Sequence, residues 1–477
     1  MKGIRSDSKA ALNSILNQSS SCIGSSDILK EIRSGRFKIA VYGLGYVGSS
    51  IASVWLRVGA HIIAVDKSLD VLENARRGRT HVLEPGVNEA FTKGLAEKRF
   101  EVYNDPVQAS HDSYFKMVCV PVSIANESTD LTALKEVAAA VGKGLKKGDA
   151  ITLNSSVPPG TTEDIVIPIL EKTSGFKVET DFCMIYSPER IYEGRAIEDI
   201  EERYPAIVSG AGHKSVEVGI RLYSLVFKKG VIAMSNIRAA ETEKLLEGVY
   251  RDVNIALANE VAKFCEKLEV DFWEVREASN SQPFCQIHKP GIGVGGACIP
   301  VYPQFILQTA AKMKINCDIT KLSRTVNDSM PAYSVKQAIK LLNGKKSLVG
   351  SIVTLLGLAF RGGVSDTRFS PTYKVIEELQ KLKVKEIRIH DPLARIESLS
   401  SKVGENVTLT SHLNEALKGT NLVMLIADHP EYRNLTADKL ENVPVYDGRG
   451  ILNRSKFDSS KFDAIGVGYK KKKIKTF

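Results

Sequence analysis

Phe37-Lys-Ile-Ala-Val-Tyr-Gly-Leu-Gly-Tyr-Val-Gly48, running on into Ser49-Ser-Ile-Ala-Ser-Val-Trp-Leu56, decides the fold class. A strand-like run leads straight into three glycines, and an apolar helical segment opens at their end. Gly43 permits the tight turn, Gly45 lets a pyrophosphate approach the backbone, and Gly48 lets strand and helix pack closely. The helix N-terminus offers free N–H groups and a partial positive charge to phosphate. A glycine pattern alone is a weak signal, but the next strand, Ile62-Ile-Ala-Val65, ends at Asp66, 18 residues beyond Gly48. A carboxylate there accepts both ribose hydroxyls and repels a 2′-phosphate, which favours NAD over NADP. Gly43, Gly45, Tyr46, Val47, Gly48 and Asp66 are therefore the expected cofactor residues.

Outward from this turn, strand-like runs recur at His61–Val65, Phe115–Val120, Ala150–Leu153 and Phe182–Tyr186, with helical periodicity between them. That alternation predicts a parallel sheet covered on both faces. From Arg238 to about Val270, Leu245, Val249, Val253, Leu257, Val261, Phe264 and Leu268 recur every three or four positions. The spacing predicts one amphipathic helix, longer than the ~8–20 residues usual in globular domains and suited to joining domains or packing on a second copy. A second βα alternation follows, with strands expected at Leu348–Leu356, Glu386–His390, Leu422–Ile426 and Pro444–Tyr446. The predicted fold is α/β: two Rossmann-like parallel-sheet domains bridged by a long central helix and a helical dimerisation segment. The expected divisions are a flexible extension 1–36, an NAD-binding sheet domain 37–230, a central helical domain 231–335, a second sheet domain 336–469 and a basic tail 470–477.

The 477 residues carry a formal charge of +10, which by itself invites a nucleic-acid or membrane-surface reading. Its placement argues otherwise. Five lysines lie in Lys470–Phe477 and a net +3 in residues 1–36, so the remainder is 10 − 5 − 3 = +2. With no motif that interleaves aromatic and basic residues, nucleic acid is not an expected partner. The longest apolar stretch, Leu348–Phe360, falls short of the ~20 residues a membrane helix needs, and the N-terminus lacks an apolar leader. Seven cysteines without a C-x-x-C pair fit a reducing, cytoplasmic setting, and no metal site is expected.

One cysteine stands apart. Gly291-Ile-Gly-Val-Gly-Gly-Ala-Cys298-Ile-Pro300 strips side chains from the neighbourhood of Cys298 and leaves a thiol accessible on an exposed backbone loop. The same stretch could be a turn that merely contains cysteine. Beside an NAD site, however, a thiol suggests a definite chemistry: a first hydride transfer turns an alcohol into an aldehyde, which the thiolate captures as a thiohemiacetal. A second transfer gives a thioester, and water releases the acid.

With these motifs in place, residues 37 to 469 resemble the UDP-glucose/GDP-mannose 6-dehydrogenase family. The resemblance rests on six ordered stretches: Gly43–Gly48; Ser155-Ser-Val-Pro-Pro-Gly-Thr-Thr-Glu163; Ser187-Pro-Glu-Arg-Ile-Tyr-Glu-Gly194; Arg251-Asp-Val-Asn-Ile-Ala-Leu-Ala-Asn-Glu260; Gly295-Gly-Ala-Cys-Ile-Pro300; and Gly357-Leu-Ala-Phe-Arg361 continuing to Ser365-Asp-Thr-Arg368. The Cys-Ile-Pro-Val form is similar to the branch that oxidises C6 of UDP-N-acetylmannosamine or UDP-N-acetylglucosamine to a uronate. The resemblance implies that Cys298 is the nucleophile, that Lys244 stabilises alkoxide charge, and that Glu189 is the base for hydrolysis. It also implies that Ser156 lies near the nicotinamide and that Arg368 contacts the dinucleotide. Glu189, Arg190, Lys244, Gly295 and Arg361 are the implied substrate residues, with Arg361 clasping phosphate where the family usually has lysine.

Besides Arg361, the chain departs from the family pattern in three places. Gly248 replaces an asparagine one turn after the lysine, Tyr302 replaces an aspartate four residues after the cysteine, and the segment Ser281–Lys289, with Phe284, lacks an expected arginine that His288 and Lys289 could substitute. The expected activity is NAD-dependent four-electron oxidation of a nucleotide sugar, by a homodimer formed through the central helix. The alternatives are a non-catalytic nucleotide-sugar-binding paralogue, a UDP-glucose/GDP-mannose 6-dehydrogenase, and a simple two-electron hydroxyacid dehydrogenase that would not need Cys298.

Overall fold

Apolar β-branched residues at Lys38–Tyr42 (β1) and His61–Val65 (β2) form adjacent parallel strands, with Ile39 opposite Ile62 and Val41 opposite Ala64. The computed structural model describes residues 32–35, 37–125, 128–342, 348–399 and 403–468. Residues 1–31 and 36 of the expected N-terminal extension, and the basic tail from Lys470, lie outside the described residues. Packing divides the chain into two units, Met1–Leu245 and Leu246–Phe477.

In the first unit, β1 and β2 are joined by Phe100–Tyr103 (β3), Phe115–Val118 (β4), Ala150–Leu153 (β7), Cys183–Tyr186 (β8), Ala206–Gly210 (β9) and Val231–Ala233 (β10); a small hairpin of Ser123–Ala125 (β5) and Ser128–Asp130 (β6) stands apart. The sheet order is β10-β9-β8-β7-β4-β1-β2-β3. Strands buried on both faces carry the core: Ile39, Val41 and Ile62 pack on one side with Trp55 of the helix Tyr46–Arg57, and Ala40, Tyr42, Ile63 and Leu153 on the other. Each large apolar side chain so buried contributes ~1.5–3 kcal/mol. One pairing departs from the expected all-parallel order, because β9 runs antiparallel to β8, with Tyr186 opposite Ser209. A parallel neighbour requires a crossover to the far end of the sheet. The connection from Ser187 to Pro205 makes no such crossover, so it stays at the carboxyl edge.

The second unit repeats the plan. Ile352–Leu356 (β11), Glu386–His390 (β12), Val407–Thr410 (β13), Leu422–Leu425 (β14), Val445–Asp447 (β15) and Phe462–Ala464 (β16) form a parallel sheet ordered β13-β12-β11-β14-β15-β16. This is the doubly wound order, in which ligands gather at the carboxyl ends of the strands. The short strands β3, β9, β10, β13 and β16 were not expected from sequence; they hold three to five residues each, several partly exposed, too few to set up an apolar period.

The long helix spans Ile237–Leu268, as the periodicity predicts, but its expected apolar stripe splits. Leu245 and Val249 are buried, whereas Leu257, Phe264 and Leu268 are exposed. Steps of four residues overshoot a 3.6-residue turn, so position 257 has rotated roughly 120° away from position 245. Among the described residues, no helix is long and apolar enough to cross a membrane, and no group of His, Cys, Asp and Glu could hold a metal ion.

Asp391, directly after β12, is fully buried. Its Oδ2 accepts the N–H groups of Leu358 and Ala359, each at 2.8 Å, and its Oδ1 those of Leu393 and Ala394 at 2.9 and 2.8 Å. Burial opposes its ionisation, but His429 at 3.2 Å and the N–H groups prevail and push its pKa down to about 2. A folded pKa below the unfolded value gives stability that is complete above the unfolded pKa and lost as pH falls through the folded one. Asp391→Asn should therefore abolish an acid-labile contribution of about 2 kcal/mol that disappears between about pH 4 and 2, measured by urea titration across that range.

Candidate active site

Four sequence-predicted groups of the first unit sit where strands end. The glycine turn follows β1, Asp66 follows β2, Ser156 lies just past β7, and Glu189 is the third residue of the connection that stays at the carboxyl edge after β8. The turn is built by contact. A Cβ on Gly43 would lie 2.8 Å from the Cys119 carbonyl, and Gly43 adopts φ +91°, which only glycine takes without strain. A Cβ on Gly48 would lie 1.8 Å from the Gly43 carbonyl, so no side chain fits there. At Gly45 a Cβ would meet nothing within 4 Å. The helix Tyr46–Arg57 begins at that open surface, with no side chain capping it and no acid in its first turn. Asp66 Oδ2 accepts from Leu44 N at 2.8 Å and Oδ1 from Ser68 N at 2.9 Å, which leaves each oxygen a further lone pair for a ribose hydroxyl. These features fit NAD. Tyr46 and Val47 occupy the first turn of that helix, with Val47 packed on the core.

Glu189 and Lys244 are brought together in this unit, and both are buried. Burial raises the Glu189 pKa to about 7, even though the Lys244 ammonium and a backbone N–H pull it down. Arg190 lies 3.9 Å from Glu243 and its guanidinium sits over the Tyr204 ring. One buried carboxyl was missed by the sequence reading. Glu241 accepts from Gly160 N at 2.5 Å, Thr162 N at 2.9 Å and Thr162 Oγ1 at 2.7 Å, which ties the Ser155–Glu163 motif to the long helix. Its signal was present: Ile237, Glu241 and Lys244 share one face of the helix at core spacing, an unusual place for two charges.

In the second unit, the glycine loop ending in Cys298 is held at both ends. Gly291 N donates to Asn259 Oδ1 at 2.9 Å, and Gly296 N to the Arg368 carbonyl at 2.9 Å. Asn259 in turn bonds Asn327, Asn327 bonds Asp252, and Arg324 Nη1 reaches Asp252 Oδ1 at 2.6 Å. All four of these side chains are buried, and sequence reasoning assigned none of them a role, because Arg324 and Asn327 lie some 70 residues from their partners. A Cβ on Gly295 would strike Phe360 and the Phe369 carbonyl, each at 2.7 Å, so the loop runs flat against Phe360. Beyond this pinned segment the Cys298 thiol is exposed.

Arg361 follows β11, with its guanidinium over the Phe360 ring, and Arg368 is bonded to Asp366 through Nε and Nη2. The carboxylate at the end of β12 differs from its counterpart in the first sheet. Asp391 accepts four N–H groups and contacts His429, so it has no capacity for ribose, whereas Asp66 accepts two. The dinucleotide signature therefore belongs to the first sheet alone.

Two measurements check this geometry. Gly48→Ala should weaken NAD binding at least tenfold by calorimetry, since the added carbon displaces the turn. A carboxyl whose folded pKa exceeds its unfolded pKa binds extra protons when folded, so stability falls as pH rises between the two values. For Glu189 that window runs from about 4.5 to about 7. Glu189→Gln should flatten the stability–pH slope there, with the remaining slope carried by Glu241, whose pKa burial also raises to about 7.

The chain matches sequence models for three domains of the UDP-glucose/GDP-mannose dehydrogenase family: the NAD binding domain over residues 37–227, the central domain over 238–329, and the UDP binding domain over 354–454. It is 31% identical over 422 residues to a UDP-N-acetyl-D-mannosamine dehydrogenase of Pyrococcus horikoshii, covering 87% of this chain and 96% of that one. It is 29% identical to an NDP-N-acetyl-D-galactosaminuronic acid dehydrogenase of Ralstonia nicotianae, again over 87% of this chain and 96% of that relative. Among solved structures, UDP-D-ManNAc dehydrogenase from Pyrococcus horikoshii superposes with a TM-score of 0.82 at 29% identity, covering 91% of this chain and all of that one. Three consecutive domain matches and an open dinucleotide turn in the first of them lead to one conclusion: this chain belongs to the UDP-glucose/GDP-mannose dehydrogenase family and is an NAD-dependent nucleotide-sugar dehydrogenase.

Proposed function

We propose that the protein oxidises the C6 hydroxymethyl of a UDP-activated N-acetylhexosamine, UDP-N-acetylmannosamine or its gluco epimer, to the uronate through a thioester on Cys298. The observation that carries this reading is the exposed thiol at the end of a glycine loop pinned at Gly291 and Gly296. A two-electron alcohol dehydrogenase has no use for an accessible thiol; a four-electron enzyme needs one to hold the carbon between oxidations. NAD, when bound, supplies the hydride acceptor, and two equivalents are consumed per sugar.

Cys298 Sγ bonds C6 at the aldehyde level and is released when water attacks the thioester. Lys244 offers its ammonium to oxygen as negative charge develops there. Glu189 Oε takes the proton of the attacking water, and a pKa raised to about 7 suits a base working near neutrality. Ser156 orients the reacting end of the cofactor, Gly295 lends backbone to the sugar, and Arg190, Arg361 and Arg368 provide cations for phosphates or carboxylate. The two named relatives act on different amino sugars, which supports an N-acetylhexosamine and leaves the epimer to experiment.

The reading also includes a homodimer through the long helix. Leu246, Tyr250, Leu257, Phe264 and Leu268 are exposed along Ile237–Leu268 at intervals of four and seven residues, a spacing suited to a helix packing on a second copy.

With purified protein, NAD and a panel of UDP-N-acetylhexosamines that includes the galacto epimer, the expected result is two NADH per sugar, abolished by Cys298→Ala. One NADH with a carbonyl product would refute the thioester route, and tight binding without turnover would indicate a nucleotide-sugar-binding protein. The rate should rise with pH to a plateau above an apparent pKa near 7, and Glu189→Gln should remove that limb while lowering kcat by about 10²- to 10⁴-fold. Leu257→Glu with Phe264→Glu should halve the mass seen by light scattering; a monomeric wild-type protein would refute the dimer.

A further inference from the structure

Tyr302 opens the helix Tyr302–Lys312, four residues after Cys298. The Cys298 carbonyl accepts the N–H groups of Val301 and Tyr302, each at 3.0 Å. The thiol-bearing residue is thereby fastened to the first turn of this helix, and whatever seats the turn seats the thiol. Tyr302 is only 5% exposed, and its ring stacks at 28° on Phe305, which is fully buried. Its ring also lies against the backbone of Gly248 on the long helix. A Cβ built on Gly248 would come 2.4 Å from Tyr302 Cδ2 and 3.2 Å from Tyr302 Cβ and Cγ.

Gly248 has no left-handed backbone to explain it. It stands in the middle of a helix of 32 residues, where glycine costs about 1 kcal/mol relative to alanine. Contact with the ring supplies the reason for a glycine at this position, since the first carbon of any side chain would overlap it. Gly248 and Tyr302, one on each helix, are thus sterically matched: the ring fills the space that a side chain at 248 would need.

We infer that Gly248 and Tyr302 form an interlocking pair that positions Cys298, with Tyr302 a positioning residue for the reaction. This rests on the reading of Cys298 as the nucleophile. The pair acts through a ring seated in a notch of the backbone, which holds the first turn of the thiol's helix.

The test is a double-mutant cycle on the full chain with NAD bound: wild type, Gly248→Ala, Tyr302→Ala and the double variant, with Tyr302→Phe as the conservative control. Two readouts are followed, the alkylation rate of Cys298 by iodoacetamide, assigned by peptide mass spectrometry, and kcat against KM. In the tyrosine background, Gly248→Ala should change the alkylation rate at least threefold and lower kcat about tenfold with KM within twofold. In the alanine background the same change should alter neither readout by more than twofold, and beside Tyr302→Phe, which keeps the ring, it should act as it does beside tyrosine. Equal effects of Gly248→Ala in both backgrounds, no effect in the tyrosine background, or a change confined to melting temperature would overturn the inference. If Gly248→Ala fails to fold, a double variant that folds and melts no lower than Tyr302→Ala supports the interlock, and one that also fails overturns it. The alkylation arm needs no turnover, so coupling seen there in a protein that oxidises no nucleotide sugar would sink the proposed function and not the positioning.

Discussion

In both sheets, the turn after the first strand hangs its backbone N–H on a carboxylate that ends the neighbouring strand. Leu44 N reaches Asp66 Oδ2 at 2.8 Å in one, and Leu358 N reaches Asp391 Oδ2 at 2.8 Å in the other. The preceding glycine of each turn also donates to the last residue of that neighbouring strand, Gly43 to Val65 and Gly357 to His390, both at 2.8 Å. A chain leaving a buried strand must satisfy its amides before it turns, and this bond does so while fixing the carboxyl edge where ligands bind. What differs is how much of the carboxylate the turn consumes. Asp391 is closed by further N–H groups and His429, whereas Asp66 retains lone pairs beside an open helix N-terminus. One architectural bond thus gives a closed frame in the second sheet and, in the first, a carboxylate left open beside a helix N-terminus.

The long helix extends the same logic to groups that no strand carries. Its first turns bury Glu241 and Lys244, and its later turns bury Asp252 and Asn259. A buried polar group is costly unless it is bonded, so each of these acts as an anchor for the segment that satisfies it. Glu241 holds the loop from Gly160 to Thr162, and Asn259 holds the start of the glycine loop at Gly291. Lys244 tempers the burial of Glu189 and leaves that carboxyl with a pKa near neutrality.

Much of this was legible in the sequence because it depends on local spacing. Strand, glycine turn, helix and acid-tipped strand follow one another within thirty residues, and a single period carries the long helix. Cys298 announced itself through the glycines around it. The antiparallel strand β9 was not legible, since three to five residues carry no readable period and its direction depends on a connection that fails to cross the sheet. Nor was the inward face of the long helix, because an apolar stripe stepping by four residues drifts around the cylinder, and polar Asp252 and Asn259 take the buried positions.

By itself, then, the sequence determined two βα sheets, a glycine turn followed by a strand tipped with Asp66, and a cysteine on a stripped loop, because each follows from residues close together along the chain. The tertiary structure alone decided which carboxylate stays open, why Glu189 is held near neutrality, and that Gly248 and Tyr302 answer one another. These depend on burial and on contacts between segments far apart in sequence, such as the 2.4 Å that separates a would-be Cβ at position 248 from the ring at 302. Steric exclusion and desolvation act through space, and composition and spacing along a chain do not encode them until the chain has folded.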